Sequence, residues 1–510
     1  MTAATSSDRI ALRPYQEEAR RAIHAGFQEF DRQLLVLPTG GGKTLLFSQV
    51  AADFRPKRTL ILAHREELIS QAVEKLHAST GIAADVERAG CRASLAAPAV
   101  VASVQTLMQD VRRARWPRDH FALVVADEAH KAMSDSWQKV LSHFDGPAKI
   151  LGVSATPERS DKRHLGRYFQ NIAYETTLVD LIKDGWLAPI RVKTVPLGID
   201  LRGVRSTAGD YNAEDLGHAL DPYLERIADV IAEHRERKTI VFLPLVSVSQ
   251  RFAAICRQRG LAAEHIDGQS PDRREILERF RRDETRLLAN AMLLTEGYDE
   301  PSIDCVVCLR PTKVRSLWCQ AIGRGTRLHP GKDHLLVLDF LWQSEEHSLV
   351  RPAHLIATDE EDARALTAKL GSEGDLGEAR LEVDADRTRK LVERLEQNRH
   401  RTARVLDPLE LAVSLNEARL AHYVPNLPWQ AQPLSDKQWK TLSGFGIDPR
   451  EVTCRGHASL LLDRLFERCQ LKLATPRQVR VLRQFGHPHP ETASFEEASA
   501  FLAEQLGSAA

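Results

Sequence analysis

The residues with the clearest chemical potential form one short stretch, Pro38-Thr39-Gly40-Gly41-Gly42-Lys43-Thr44. Glycines let successive backbone N–H groups converge on phosphate oxygens, and a helix opening at this point adds partial positive charge. Lys43 would then reach the β- and γ-phosphates of a nucleotide, and the Thr44 hydroxyl would bind Mg²⁺. The strict pattern G-x-x-x-x-G-K-[ST] is broken once, by Leu37 in the place of the first glycine. Downstream, Val124-Val125-Ala126-Asp127-Glu128-Ala129-His130 ends an apolar run in two carboxylates. Asp127 suits a hydrated Mg²⁺. Glu128 suits the orientation and deprotonation of an attacking water. Lys43 and this acid pair on separate strands of one sheet make the expected chemistry ATP hydrolysis.

Such a site needs strands that end together. The first half of the chain alternates apolar runs with helical stretches. Strands are predicted at Gln33–Leu37, Thr59–Ala63, Val100–Ala102, Phe121–Ala126 and Ile150–Val153, with amphipathic segments such as Glu66–His77 between them. This order predicts a parallel sheet covered by helices, whose strands read as continuous apolar runs. The pattern restarts near Asp221, with strands predicted at Thr239–Leu243, Ala263–Ile266, Arg286–Asn290, Cys305–Leu309 and Leu335–Leu338. Leu197–Leu220, rich in glycine, reads as an irregular connection.

Composition narrows the class. The 510 residues carry 70 basic and 70 acidic side chains, so a nucleic-acid site must be local rather than a matter of bulk charge. No apolar run is long enough for a membrane helix. The N-terminal residues lack a secretory pattern, and a cytoplasmic location is the default expectation. Among the seven cysteines, Cys305 and Cys308 have C-x-x-C spacing, but no second pair completes a zinc site. They read as core thiols.

The motifs Leu37–Thr44 (LPTGGGKT), Asp127-Glu128-Ala129-His130 and Ser154-Ala155-Thr156-Pro157 resemble motifs I, II and III of superfamily 2 helicases. The resemblance implies two RecA-like lobes with ATP and Mg²⁺ between them. It implies nucleotide contacts from Thr39, Gly40, Gly41, Gly42, Lys43 and Thr44. His130, Ser154 and Thr156 would couple the nucleotide to the strand. Leu12-Arg13-Pro14-Tyr15-Gln16 resembles the adenine-reading Q motif, so Arg13 and Gln16 would face the base. Motifs Ia and Ic are similar to Ala63–Leu68 and Ser103–Leu107, which assigns Arg65, Gln105 and Thr106 to the nucleic-acid backbone.

In the second half, Gln320–Arg327 (QAIGRGTR) resembles motif VI, with Gln320 coupling and Arg324 and Arg327 as arginine fingers that stabilise charge on the γ-phosphoryl group. Thr295–Asp299 resembles motif V. Thr295 would touch nucleic acid, while Gly297 and Asp299 would lie near the nucleotide. Motif IV and the strand-turn after it are similar to Val241–Leu243 and His265–Gly268, which adds Phe242, Asp267 and Gly268 as strand contacts. The resemblance covers roughly residues 10–345. Leu309–Thr312 (LRPT) and Gly323–Lys332 are most similar to the RadD-like and XPB-like branch. RadD-like proteins carry a C-terminal cysteine-rich zinc segment; only Cys454 and Cys469 follow the core here.

The expected fold is α/β, two RecA-like parallel-sheet lobes in tandem, followed by an all-α C-terminal region. The expected boundaries are a disordered tail over 1–9, lobe 1 over 10–185, a connection over 186–220, lobe 2 over 221–350, a charged helical linker over 351–428 and tandem helical repeats over 429–510. The repeat is a fixed offset of 40 residues: Gln438, Leu442, Phe445, Gly446, Ala458, Ser459 and Leu462 recur as Gln478, Leu482, Phe485, Gly486, Ala498, Ser499 and Leu502. It would hold DNA or a protein partner, with Arg477, Arg480 and Arg483 as a basic stripe. The expected function is an ATP-dependent DNA helicase or translocase. The rivals are an RNA-dependent ATPase and the motor subunit of a restriction or defence complex.

Overall fold

Apolar runs bounded by polar residues become the central strands of two sheets. The computed structural model describes residues 11–155, 165–201, 203–207, 210–295, 298–312, 314–343, 350–397, 423, 425, 429–445, 447–490 and 492–507. In the first lobe the strands are β1 (Arg32–Val36), β2 (Thr59–Ala63), β3 (Ala84–Glu87), β4 (Ala99–Ser103), β5 (Leu123–Asp127), β6 (Lys149–Ser154) and β7 (Asn171–Glu175). They form one sheet in the order β3-β4-β2-β5-β6-β1-β7, every neighbour parallel. Every residue of β2 and β5 is buried, as a parallel strand covered on both faces requires. Helices α1 (Pro14–Gly26), α2 (Lys43–Asp53) and α3 (Glu66–Thr80) belong to the same lobe.

The second lobe begins earlier than the expected boundary at residue 221. Strand β8 (Ile190–Asp200) lies in its sheet, parallel to the last long strand. A ribbon of β9 (Ser206–Thr207) and β10 (Asp210–Tyr211) follows. Then come β11 (Thr239–Phe242), β12 (Ala263–Ile266), β13 (Leu287–Asn290), β14 (Cys305–Cys308), β15 (Leu335–Gln343) and β16 (Glu373–Asp375). The sheet order is β12-β13-β11-β14-β15-β8-β16, with β16 alone antiparallel. Pro196 and Gly198 made β8 read as irregular. Its pairing with β16 spans Arg191–Lys193 only, so Pro196 sits beyond that ladder, where a missing N–H is tolerated.

The expected linker over 351–428 also starts inside this lobe. The helix Glu360–Leu370 buries Ala363, Leu366 and Leu370, a helical stripe that must face a core. Buried Arg380 donates to both carboxylate oxygens of buried Asp362, at 2.9 and 2.7 Å. By contact density, residues 1–380 form one unit and 381–510 another.

Within the second unit, helices Asp436–Phe445 and Arg455–Gln470 enclose Leu442, Ala458, Leu461 and Leu465. Helices Pro476–Gln484 and Phe495–Gly507 enclose Val479, Leu482 and Ala498. Each pair is pinned by one amide. Gln438 Nε2 donates to Ser459 Oγ and Gln478 Nε2 to Ser499 Oγ, both at 3.0 Å. The same two glutamines close capping boxes with Ser435 and Thr475. The Arg477 and Arg480 side chains lie outside the described set, as do residues 398–422.

Candidate active site between the lobes

The glycine loop sits where β1 hands over to α2. Gly42 is left-handed (φ 78°) and caps α2, so Lys43 and Thr44 occupy its first turn. Gly40 is also left-handed (φ 88°), a conformation that favours glycine. The loop is braced from α1: Tyr15 Oη donates to Gly41 O at 2.8 Å and Gln16 Nε2 to the same oxygen at 3.0 Å. Gln16 Oε1 accepts from Arg13 N. Both ends of the Gln16 amide are therefore engaged by the protein, and Gln16 braces the loop while keeping a second N–H and a second lone pair. Arg13 donates to Trp186 O at 3.1 Å and lies over the Trp186 ring.

Asp127 ends β5, and its Oδ1 accepts from Glu128 N at 3.0 Å. Glu128 itself is left-handed (φ 56°) and buried. A non-glycine residue in this region stores strain, which turns the carboxylate away from the path of the strand. His130 Nδ1 lies 3.2 Å from Glu128 Oε2. Burial pushes the Glu128 carboxyl up, but Lys43, His130 and Lys131 together outweigh it and hold it down at about 2. Glu128 is thus ionised at neutral pH. Buried Ser154 ends β6, and its carbonyl accepts from Leu37 N, tying the coupling strand to the start of the loop.

The second lobe closes against this loop. Thr326 Oγ1 donates to Gly323 O at 3.0 Å and approaches Thr39 O at 3.4 Å. A Cβ on Gly323 would lie 2.4 Å from Thr39 Cβ, and one on Gly40 would lie 2.8 Å from Thr326 Oγ1. Two cross-lobe ion pairs flank the contact, Arg273 with Glu67 and Lys75 with Asp299, each at 3.4 Å. Arg324 Nη1 donates to Tyr298 O at 2.8 Å, and Arg327 pairs with Asp299. The arginines are therefore mounted beside the loop but engaged by their own lobe. Buried Gln320 lies on the preceding helix, Arg315–Ile322.

The family model described as "Type III restriction enzyme, res subunit" matches residues 9–159, and that for the "Helicase conserved C-terminal domain" matches residues 222–329. The chain belongs to superfamily 2 of the helicases. Among curated relatives, IRC3 of Saccharomyces cerevisiae, a candidate ATP-dependent helicase, is 32% identical over 65% of this chain and 52% of its own length. The Schizosaccharomyces pombe irc3, a candidate mitochondrial ATP-dependent helicase, is 34% identical over 65% and 57%. The chain thus spans about half the length of these superfamily 2 relatives. A fragment of a candidate HsdR subunit of a type I restriction enzyme from Vibrio vulnificus shares the fold at TM-score 0.52 and 25% identity, over 66% of this chain and 65% of that one.

The superfamily 2 strand contacts fare unevenly. Arg65 caps α3 at the sheet edge. Gln105 lies nearby, its Nε2 donating to His64 O at 3.0 Å. Thr106 is buried, so its hydroxyl does not face solvent. Phe242 is wholly buried in β11 and cannot touch a strand: the motif IV position is a core residue here. Asp267 is nearly buried and accepts from Gln269 N and Ser270 Oγ, so it builds the turn after β12. Gly268 is exposed. Thr156, Gly297 and the Thr295 side chain lie outside the described residues. Burial pushes the Cys305 and Cys308 thiols up to about 12, consistent with inert core residues.

Trp186, Thr326 and Gly323 escaped the sequence reading as site-builders. Glycine within motif VI was the one available signal, since a close backbone approach needs it. No helix of the described residues is long and apolar enough to cross a membrane.

Proposed function

We propose that the chain hydrolyses ATP between its two lobes and uses the cycle to move along DNA. The observation that carries this is the contact of Gly323 and Thr326 with Thr39 and Gly40. It sets the arginine-bearing turn of one lobe against the phosphate loop of the other.

The residues fit the nucleotide. The left-handed glycines shape a cradle that side chains would fill, since a Cβ on Gly42 would strike Gln16 Nε2 at 2.3 Å. Among the described residues no cluster of three His, Cys, Asp or Glu could hold a metal. Mg²⁺ of a nucleotide site takes one or two protein oxygens and the substrate phosphates instead, and Thr44 and Asp127 offer hard oxygens of that kind. When bound, the ion would neutralise phosphate charge. Lys43 binds the β- and γ-phosphates. Glu128, ionised and next to His130, orients the attacking water and accepts its proton. Arg324 and Arg327 leave Tyr298 and Asp299 for the γ-phosphoryl charge. Arg13 and Trp186 flank the base. Loss of the γ-phosphate releases both lobes, and Arg65 and Gln105 shift relative to contacts on lobe 2.

DNA is favoured over RNA by relatives named for it: a DNA 3'-5' translocase, XPB2 of Sulfurisphaera tokodaii, is 25% identical over 65% of this chain. A role as motor of a restriction complex is the second reading. It is favoured by the Escherichia coli type I restriction enzyme EcoAI endonuclease subunit, 28% identical over 64% of this chain. ATPase rates with single-stranded, duplex and forked DNA and with RNA test the proposal, alongside strand displacement on the fork. Stimulation by DNA is expected. Stimulation by RNA alone overturns the choice of strand, and hydrolysis unchanged in Lys43→Ala overturns the site.

A further inference from the structure

The turn that follows the two arginines ends in Lys332, to which the sequence reading assigned no role. Gly331 is left-handed, and Lys332 N donates to His329 O at 3.1 Å, which folds the turn tightly before β15. The Lys332 side chain runs back beneath it. Its Nζ donates to the carbonyls of Gly325 and Ile303 and, at 3.2 Å, to that of Pro301. An ammonium has three N–H donors and no acceptor, so three carbonyls use it completely.

Those carbonyls belong to two separate chain segments. Gly325 lies between Arg324 and Thr326. Pro301 and Ile303 follow Tyr298 and Asp299, which engage Arg324 and Arg327. The contacts of Arg324 with Tyr298 and of Arg327 with Asp299 thus run between residues 298–303 and 323–332, and Lys332 adds two bonds between the same segments, to Pro301 and Ile303, and a third to Gly325 from the same atom. Gly325 itself leaves no room for a side chain, because a Cβ there would lie 2.4 Å from Leu335 Cδ1.

We propose that Lys332 is a positioning residue for the arginine pair: its ammonium fixes the main chain at Gly325 against residues 301–303, so that Arg324 and Arg327 enter the cleft from a rigid mount. This rests on reading Arg324 and Arg327 as the phosphate-facing pair. Lys332 touches no substrate and acts only through the backbone. Small displacements of such a mount cost rate steeply, up to about a hundredfold for a shift near 1 Å.

The mount is also sensitive to pH. Burial pushes the Lys332 ammonium down to about 8, with Asp304 opposing and Arg327 adding to the shift. The other charged groups around it are His329, Asp333 and His334 on its own turn, Asp299 paired with Arg327, and Arg237 beside Asp304. As pH rises through about 8 the neutral amine keeps two N–H groups and turns a lone pair toward a carbonyl. The clamp therefore loosens at alkaline pH.

The test compares full-length wild type with Lys332→Met and Lys332→Arg. ATPase kcat and KM for ATP are followed from pH 6 to pH 10, with thermal unfolding measured at each pH. Wild-type kcat should fall on an alkaline limb near pH 8. Lys332→Met should lower kcat between about 10- and 100-fold at pH 7, leave KM within a few-fold and abolish the limb. Lys332→Arg, which stays charged, should recover part of kcat and lack the limb. If Lys332→Met only lowers the unfolding temperature while kcat and the alkaline limb stay as in wild type, Lys332 is structural and the proposal is overturned. If wild type hydrolyses no ATP under any condition, the reading of the site fails instead, which is a separate outcome.

Discussion

The two lobes are built to one plan and carry different halves of the chemistry. Among the described residues each has a seven-stranded sheet, and the central strand of each, β5 or β14, stands two places from β1 or β8. β1 and β8 occupy the same slot in their sheets. After β1 the chain makes the glycine loop and opens α2 at Lys43; after β8 it runs to the small ribbon of β9 and β10. The second lobe thus has the frame of a phosphate site without the loop, and offers instead the turn with Arg324 and Arg327. The sheet order sets where residues can meet, while in the proposed division a few turn residues decide which lobe binds and which accelerates.

That division can be broken by experiment. Lys43→Ala is expected to abolish ATP binding and hydrolysis together, read by nucleotide binding and steady-state rates. Arg324→Ala should cut kcat by about 10³-fold or more with ATP still bound. An Arg324→Ala enzyme that fails to bind ATP at ordinary concentrations, yet turns over normally at saturation, would erase the proposed distinction between the lobes.

Gly323→Ala sharpens the comparison at the contact itself. Its new Cβ meets Thr39, so the lobes must part by a fraction of an ångström. An expected loss of roughly 10- to 100-fold in kcat, with the unfolding temperature little changed, would place the effect in the cleft.

Phe242→Ala separates core from strand contact. Removal of a buried Phe costs about 3–5 kcal/mol of stability, measured by denaturant unfolding, and DNA affinity per folded molecule should stay the same. A selective loss of affinity would restore Phe242 as a contact.

The smallest effect concerns a buried acid of lobe 2. Burial pushes Asp339 up to about 7, against a weaker pull from Arg351. A folded pKa above the unfolded one means that ionisation opposes folding. The penalty is absent below pH 4, grows toward pH 7 and is complete above it. Asp339→Asn should therefore raise the unfolding temperature at pH 8 by a few degrees and change it little at pH 4.5.

How much of this could be read before the fold was seen depends on how local the signal is. The inner strand Thr59–Ala63 was readable to the residue, because a strand buried on both faces must be continuously apolar. The edge strands β3 and β7 escaped, since Asp85, Asn171 and Glu175 interrupt the run. β8 escaped because Pro196 and Gly198 imitate a loop. At the site, Lys43, Asp127 and Glu128 stand in local patterns with local causes. Trp186 meets Arg13 far away in the chain, and Lys332 meets Pro301 and Ile303 on another segment, so the residues beside them announced no role. Phe242 shows the converse: a motif position matched by type, but turned inward by the strand that carries it.

The path between the lobes has a consequence of its own. β7 ends at Glu175 and β8 begins at Ile190, and the chain between them passes the nucleotide loop. Trp186 meets Arg13, Leu187 lies against Gly40, and Ala188 N donates to Thr326 O at 2.8 Å. The tether is therefore a fulcrum set at the load. On the proposed reading, any swing of one lobe about it would bend the chain where base and phosphates would be gripped, so that spreading the lobes and prising out the spent nucleotide would become a single stroke.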